Sequence, residues 1–119
     1  MAVKAATISR ITSFGDECHV VTWAALANTD TGAPIEMPGS SDRSIQFEGT
    51  FGAGGTVILE GSNDGTNYHP LTDPQGNDIS KTAADLEMIT ELTRWVRPRV
   101  SAGDGTTAIV PTLFLKKVR

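Results

Sequence analysis

The side chains best suited to nucleophilic or soft-metal chemistry are Cys18, His19 and His69, and their placement speaks against both. A hydrolytic triad needs a nucleophile, a base and an orienting acid brought together. His69 is followed by Pro70, His19 follows Cys18, and neither histidine lies in a nucleophile-elbow or similar context. Neighbouring residues of a strand point to opposite faces, so Cys18 next to His19 reads as a buried structural thiol rather than a reactive one. Two isolated histidines and one cysteine do not make a Cys/His zinc site. Asn63-Asp64-Gly65 has the residues of a calcium loop. With Gly65 at the sixth position, however, the twelfth is Leu71, where a bidentate Glu is needed. That segment is a hairpin turn. Gly52-Ala53-Gly54-Gly55 lacks the Gly-Lys-Ser/Thr ending of a phosphate-cradling loop. Glu87 and Glu91 are the kind of carboxylate pair that serves glycoside hydrolysis, but they read more simply as solvated surface acids. The expectation is a protein with no catalytic residue, no cofactor and no metal.

Arg94-Trp95-Val96-Arg97-Pro98-Arg99-Val100 is different. On a strand, Val96, Pro98 and Val100 share one face, and Trp95, Arg97 and Arg99 share the other. If the valines face the core, a Trp and two arginines point outward together. Trp and Arg are the types most enriched at interface hot spots, and Arg also stacks on aromatic rings. The alternative is that Trp95 belongs to the core and the arginines sit near a rim. The candidate interface residues are Trp95, Arg97 and Arg99, with Arg94 and the basic tail Lys116, Lys117 and Arg119.

Period two dominates the rest of the chain. Ser44 to Phe51 alternates, with Ile45, Phe47 and Phe51 on one side and Ser44, Gln46, Glu48 and Thr50 on the other. Thr56–Glu60 follows a Gly-rich turn, and the Asp64-Gly65 pair turns the chain toward Tyr68–Leu71. Residues 44–71 therefore read as a three-stranded antiparallel meander. Thr7–Phe14 and Val20–Leu26 have strand composition, split at Gly15-Asp16-Glu17. Residues 28–43 hold turn formers without a period and read as a long irregular loop. Arg94–Val100 and Thr107–Val118 are the last two strands, joined across Ala102–Gly105. Pro98 and Pro111 each remove a ladder donor, which predicts edge strands or bulges. Thr82 to Leu92 is ambiguous: its spacing favours a short helical turn near 82–86, then a strand. Seven or eight short strands separated by turn signals predict an all-β, jelly-roll-like antiparallel sandwich, a single domain over 1–119.

The 119 residues, 39% hydrophobic and 20% charged, exclude a disordered or low-complexity chain. No apolar run approaches the roughly 20 residues that span a bilayer, and the N-terminus has no signal-peptide h-region. The chain is expected to be soluble as made, in a cytoplasm. With one cysteine it forms no internal disulfide. A net charge of −4 argues against nucleic acid as the partner. The charge is unevenly spread. Glu60 to Glu91 holds seven acids against Lys81, and Arg94 to Arg119 holds six bases against Asp104. Such a molecule either carries chance asymmetry on a solvated surface or meets copies of itself or a larger assembly through patches of opposite sign.

Gly49-Thr50-Phe51-Gly52, the Glu60-Gly61-Ser62-Asn63-Asp64-Gly65 segment, Arg97-Pro98-Arg99-Val100, the Gly103–Thr107 turn and the basic C-terminus together resemble small virion proteins of tailed bacteriophages, most specifically capsid decoration (cement) proteins. The resemblance covers most of the chain. It implies a non-enzymatic protein on the capsid surface, bound to the major capsid protein or other virion subunits as a trimer or dimer. Tail, neck or baseplate components are the second reading. Ser62-Asn63-Asp64-Gly65 and Trp95-Val96-Arg97 also resemble, over two short motifs, the discoidin-type jelly roll that binds carbohydrate or lipid. That likeness implies an exposed aromatic at a glycan site, with Trp23, Tyr68 or Trp95 the candidates.

Overall fold

The alternation in the sequence becomes two layers of strand. The computed structural model describes residues 1–11 and 17–117. Its strands are β1 (Val3–Lys4), β2 (Ala6–Ile11), β3 (Cys18–Trp23), β4 (Thr31–Gly32), β5 (Ile35–Glu36), β6 (Asp42–Thr50), β7 (Thr56–Ser62), β8 (His69–Pro70), β9 (Ser80–Lys81), β10 (Asp85–Met88), β11 (Trp95–Ala102) and β12 (Ala108–Lys116). One sheet has the order β1-β4-β11-β7-β8, with β5 also on β11 and β9 also on β7; the other is β10-β6-β12-β3-β2. Below, these are the first and second sheets.

From β3 onward the chain alternates between layers: β3 in the second sheet, β4 and β5 in the first, β6 in the second, β7 to β9 in the first, then β10, β11 and β12 in turn. This wrapping is the jelly-roll topology of a double-sheet sandwich. Five of the strands, β1, β4, β5, β8 and β9, are two residues long, and the others run from four to nine. Inward side chains of both layers make one continuous core, with Trp23, Phe47, Leu26, Ile45, Leu59, Ile79, Ile109, Leu113 and Leu115 fully buried. As the alternation required, Ile45 and Phe47 of β6 are in that core and Gln46 and Glu48 face solvent.

Several sequence expectations need correction. Residues 44–71 are not a meander, because β6 and β7 lie in different sheets and only β7 and β8 pair, Gly61 with His69. The Gly-rich segment between β6 and β7 is a corner between layers. It is pinned to the β11–β12 connection beside it: the Asp104 carboxylate accepts from the Ala53 amide at 2.8 Å, and the Thr107 hydroxyl donates to the Phe51 carbonyl at 2.8 Å. Gly52 has φ +74 there, and a Cβ on it would lie 2.3 Å from Asp104 Oδ1, so glycine is required on both counts.

The stretch 28–43 is irregular but contains β4 and β5. The chain bends at Thr82 and Ala83 and enters β10 directly, with no helix among the described residues. Lys81 Nζ holds Asp85 at 2.8 Å and Glu87 at 2.6 Å, so the acid placed to cap a helix is engaged by the preceding strand. The expected strand to Phe14 runs partly outside the described residues, as do the Gly15-Asp16 turn and the end of the last strand at Val118.

Pro98 and Pro111 sit in interior strands rather than at edges. Pro98 falls opposite Gly32, where β4 stops before β5 resumes at Ile35. A Cβ on Gly32 would lie 2.6 Å from the Pro98 ring and 2.7 Å from Trp23, so proline and glycine interlock. Pro111 lies in the matching gap of the second sheet, between the β12–β3 ladder that begins at Thr112 and the isolated Leu26–Ile109 bridge. In each case the missing amide hydrogen falls where the neighbouring strand is interrupted, which makes an interior proline tolerable. β11 also has a register shift between Val100 and Ala102.

Candidate functional site

The central strand of the first sheet, β11, presents the faces that its alternation predicts. Val96, Pro98 and Val100 are buried against the second sheet, while Trp95, Arg97 and Arg99 lie half-buried on the outer surface. Trp95 is outside the core cluster. Gly65, in the turn after β7, packs against its indole, where a Cβ would lie 3.1 Å from Nε1. Arg94 stands over the indole with its guanidinium 5.9 Å from the ring centroid, and it pairs with Glu36 of β5.

The partner that organises this face is Glu60 on β7. Antiparallel register sets Arg97 opposite Glu60 and Arg99 opposite Ile58. Glu60 Oε1 accepts from Arg97 Nε at 2.7 Å and Oε2 accepts from Arg99 Nε at 3.2 Å. Its side chain is only 5% exposed, beneath arginines that are 27% and 38% exposed. The second face of the Arg97 guanidinium lies against the Tyr68 ring, 3.7 Å from its centroid, a stacked cation–π contact. Burial pushes the Tyr68 phenol up, against the pull of Arg97. Both arginines meet Glu60 through Nε, and among the described residues their terminal Nη atoms have no hydrogen-bond partner. The trio carries one net positive charge at the surface of an acidic chain.

Arg43 fixes the start of this strand. Buried at 3% exposure, it donates to the carbonyls of Ser40 at 2.7 Å, Met37 at 2.8 Å and Thr93 at 3.2 Å. It thereby ties the 37–43 loop to the residue before Arg94. Glu60, Tyr68 and Arg43 are the members of this arrangement that the Trp–Arg pattern alone does not mark.

The basic tail lies elsewhere. Lys116 ends β12 in the second sheet, and Lys117 pairs with Glu17 at 3.7 Å. Neither joins Trp95, Arg97 and Arg99, and Arg119 lies outside the described residues. The unequal charge of the two sequence halves is partly met inside the molecule, because Glu60 and its two arginines come from opposite halves.

Beside this face a shallow cleft of about 470 Å³ is lined by Ser62, Asn63, Asp64, Asn67, Glu91 and Thr93, among others. Its carboxylates already serve the fold. The Asp64 carboxyl is held well below the usual carboxylate range by the Asn67 backbone amide first, then by the Asn67 side chain, the Thr66 amide and the Ser62 hydroxyl. Glu91 accepts from the Thr72 amide at 2.8 Å. Among the described residues, no three His, Cys, Asp or Glu side chains are grouped to hold a metal ion. Of the glycan-site candidates, Trp23 is 1% exposed with its indole N–H donating to the Ala33 carbonyl at 2.9 Å, so it belongs to the core. Tyr68 has one ring face under Arg97.

No protein-family model matches the chain, and no curated protein matches it either. Two solved structures are similar in outline. Peruvianin-I, a cysteine peptidase from Thevetia peruviana latex, aligns at 13% identity with TM-score 0.49 over 94% of this chain, which spans 60% of the peptidase's length. The carbohydrate-binding module CBM6cm-2 of Cellvibrio mixtus lichenase 5A, in complex with cellotriose, aligns at 14% identity with TM-score 0.36, over 96% of this chain and 87% of the module. At such scores neither says what this chain binds or does.

Proposed function

We propose that this chain is a non-enzymatic structural protein of a tailed-phage particle that binds the assembled capsid as a decoration protein. The observation that carries the reading is the outer face of the first sheet, where Glu60 and Tyr68 hold Arg97 and Arg99 beside Trp95. Fixed arginines with free Nη donors next to an aromatic side chain suit recognition of a protein surface bearing carboxylates, because little side-chain entropy remains to be lost on binding. The sequence resemblance to decoration proteins supplies the identity of that surface, the major capsid protein. Such a protein stabilises by mass action, since it binds the assembled shell and not its dissociated subunits.

The test is binding of purified chain to shells that lack it. Arg97→Glu with Arg99→Glu should lower affinity by about 100-fold or more; because it also strips the buried Glu60 of its partners and lowers stability, binding is read at a temperature where circular dichroism shows the variant folded. Undiminished occupancy sinks the assignment. Copy number per particle separates the two virion readings: a simple ratio to the major shell protein means head decoration, and a handful per particle means tail or neck. The cleft beside this face favours the carbohydrate reading to a lesser degree, because its carboxylates Asp64 and Glu91 are engaged within the fold. Saturable glycan binding that is lost in Trp95→Ala would establish that reading instead.

A further inference from the structure

The outer face of the second sheet is chemically unlike that of the first. Strand register sets Met88, Ser44, Phe114 and Val20 in one row across β10, β6, β12 and β3. The next row begins with Leu86 and Gln46. Leu86, Met88 and Phe114 are 60%, 55% and 39% exposed, on one face, with Met88 and Phe114 flanking Ser44. Large apolar side chains grouped in this way mark an interaction surface. Beside the Phe114 ring is a hollow of about 350 Å³, lined by Asp42, Arg43, Ser44, Met88, Phe114 and Lys116.

We infer that this face binds a second copy of the same chain about a two-fold axis lying between β6 and β12 and parallel to them. A rotation about that axis exchanges the two strands and keeps each row in place. Each residue of β6 then faces its own ladder partner on β12 of the other copy. Phe114 is the ladder partner of Ser44, and Lys116 that of Asp42. The operation therefore seats each Phe114 ring over the small Ser44 of its mate, in the hollow. It also sets each Lys116 against the mate's Asp42, so that two acids and two bases alternate at one end. Met88 comes to face Val20. A projection beside a matching recess, and a cation beside an anion, on opposite sides of one axis are what a self-complementary isologous contact requires. The packing is face to face, like that of the sheets within the sandwich, and it does not depend on what the first sheet binds.

Sedimentation of the purified full chain over a range of concentrations tests this. The wild type should approach twice its 12.6 kDa mass as a dimer, and Phe114→Asp should raise the dissociation constant by about 100-fold. If Phe114→Asp fails to fold, Met88→Lys replaces it, at an exposed position on the wall of the hollow. Asp42→Lys should weaken the dimer, and adding Lys116→Asp should restore it; because the two residues are also ladder partners within one chain, the urea midpoint of each variant is read beside its mass, and a dimer that only follows that midpoint counts against the contact. A chain that stays monomeric, a trimer, or a dimer indifferent to these substitutions overturns the inference.

Discussion

Glu60 combines two roles that usually conflict, since it is a buried carboxylate and also the support of an exposed surface. With its side chain 5% exposed, it has given up hydration, and its charge is compensated through the Nε atoms of Arg97 and Arg99. Removing one member of a buried pair costs more than the pair contributes, because the remaining charge is left without its partner. Here the arginines reach solvent, so their share of the penalty is screened. Glu60→Gln should therefore destabilise the fold by about 1–3 kcal/mol, seen as a lower midpoint in urea with unchanged slope. The same variant should weaken shell binding although Glu60 itself is covered, because Arg97 and Arg99 lose their common anchor. Tyr68→Phe keeps the ring under Arg97 and should leave both properties near wild type. A Glu60→Gln protein with wild-type stability and binding would show that the two guanidinium groups are positioned by something else.

At the scale of elements, the corner where β6 passes to β7 and β11 passes to β12 depends on one carboxylate. The Asp104 pKa is lowered to about 2, chiefly by the Ala53 amide and then by the side chain and amide of Thr106. A depressed carboxylate pKa contributes stability that is complete above the ordinary value of 3.8 and is lost as the pH falls through about 2. Asp104→Asn should lower the melting temperature at neutral pH and flatten its fall between those two values, the two curves converging at the acid end. Parallel curves would place the carboxylate's contribution elsewhere. This corner also shows what the sequence discloses. Alternation shows which residues share a face, Ile45 with Phe47 and Trp95 with Arg97 and Arg99, but leaves open whether Trp95 is core or surface; the structure puts it outside the core. Nor does alternation say which sheet a strand joins, since a Gly-rich turn serves a hairpin and a corner equally well; hence the expected meander. Glu60 was visible only as one acid in a run of acids, because its role depends on the register of β7 against β11, a contact between residues far apart in the chain. Arg43 was within reach: extending the period of Ile45 and Phe47 one step back places it on the core face. A charged residue there breaks the pattern that located the strand.

For the whole molecule, the two outer faces are opposite surfaces of one sandwich, and this geometry constrains how they act together. If copies join through the second sheet, the two Trp95–Arg97–Arg99 faces of the dimer point away from each other and cannot both rest on the same capsid surface. Linked sites raise avidity only when geometry lets them engage together, and here it does not. Phe114→Asp should consequently leave the affinity for a shell site unchanged while halving the number of chains bound per site at saturation. Arg97→Glu with Arg99→Glu should do the opposite, abolishing binding while the dimer persists in solution. Quantitative gel densitometry of saturated shells, read beside the binding isotherm, distinguishes the two. If Phe114→Asp instead costs about a hundredfold in shell affinity, then the face that carries Phe114 itself meets the shell, and pairing of copies through that face on the particle is overturned.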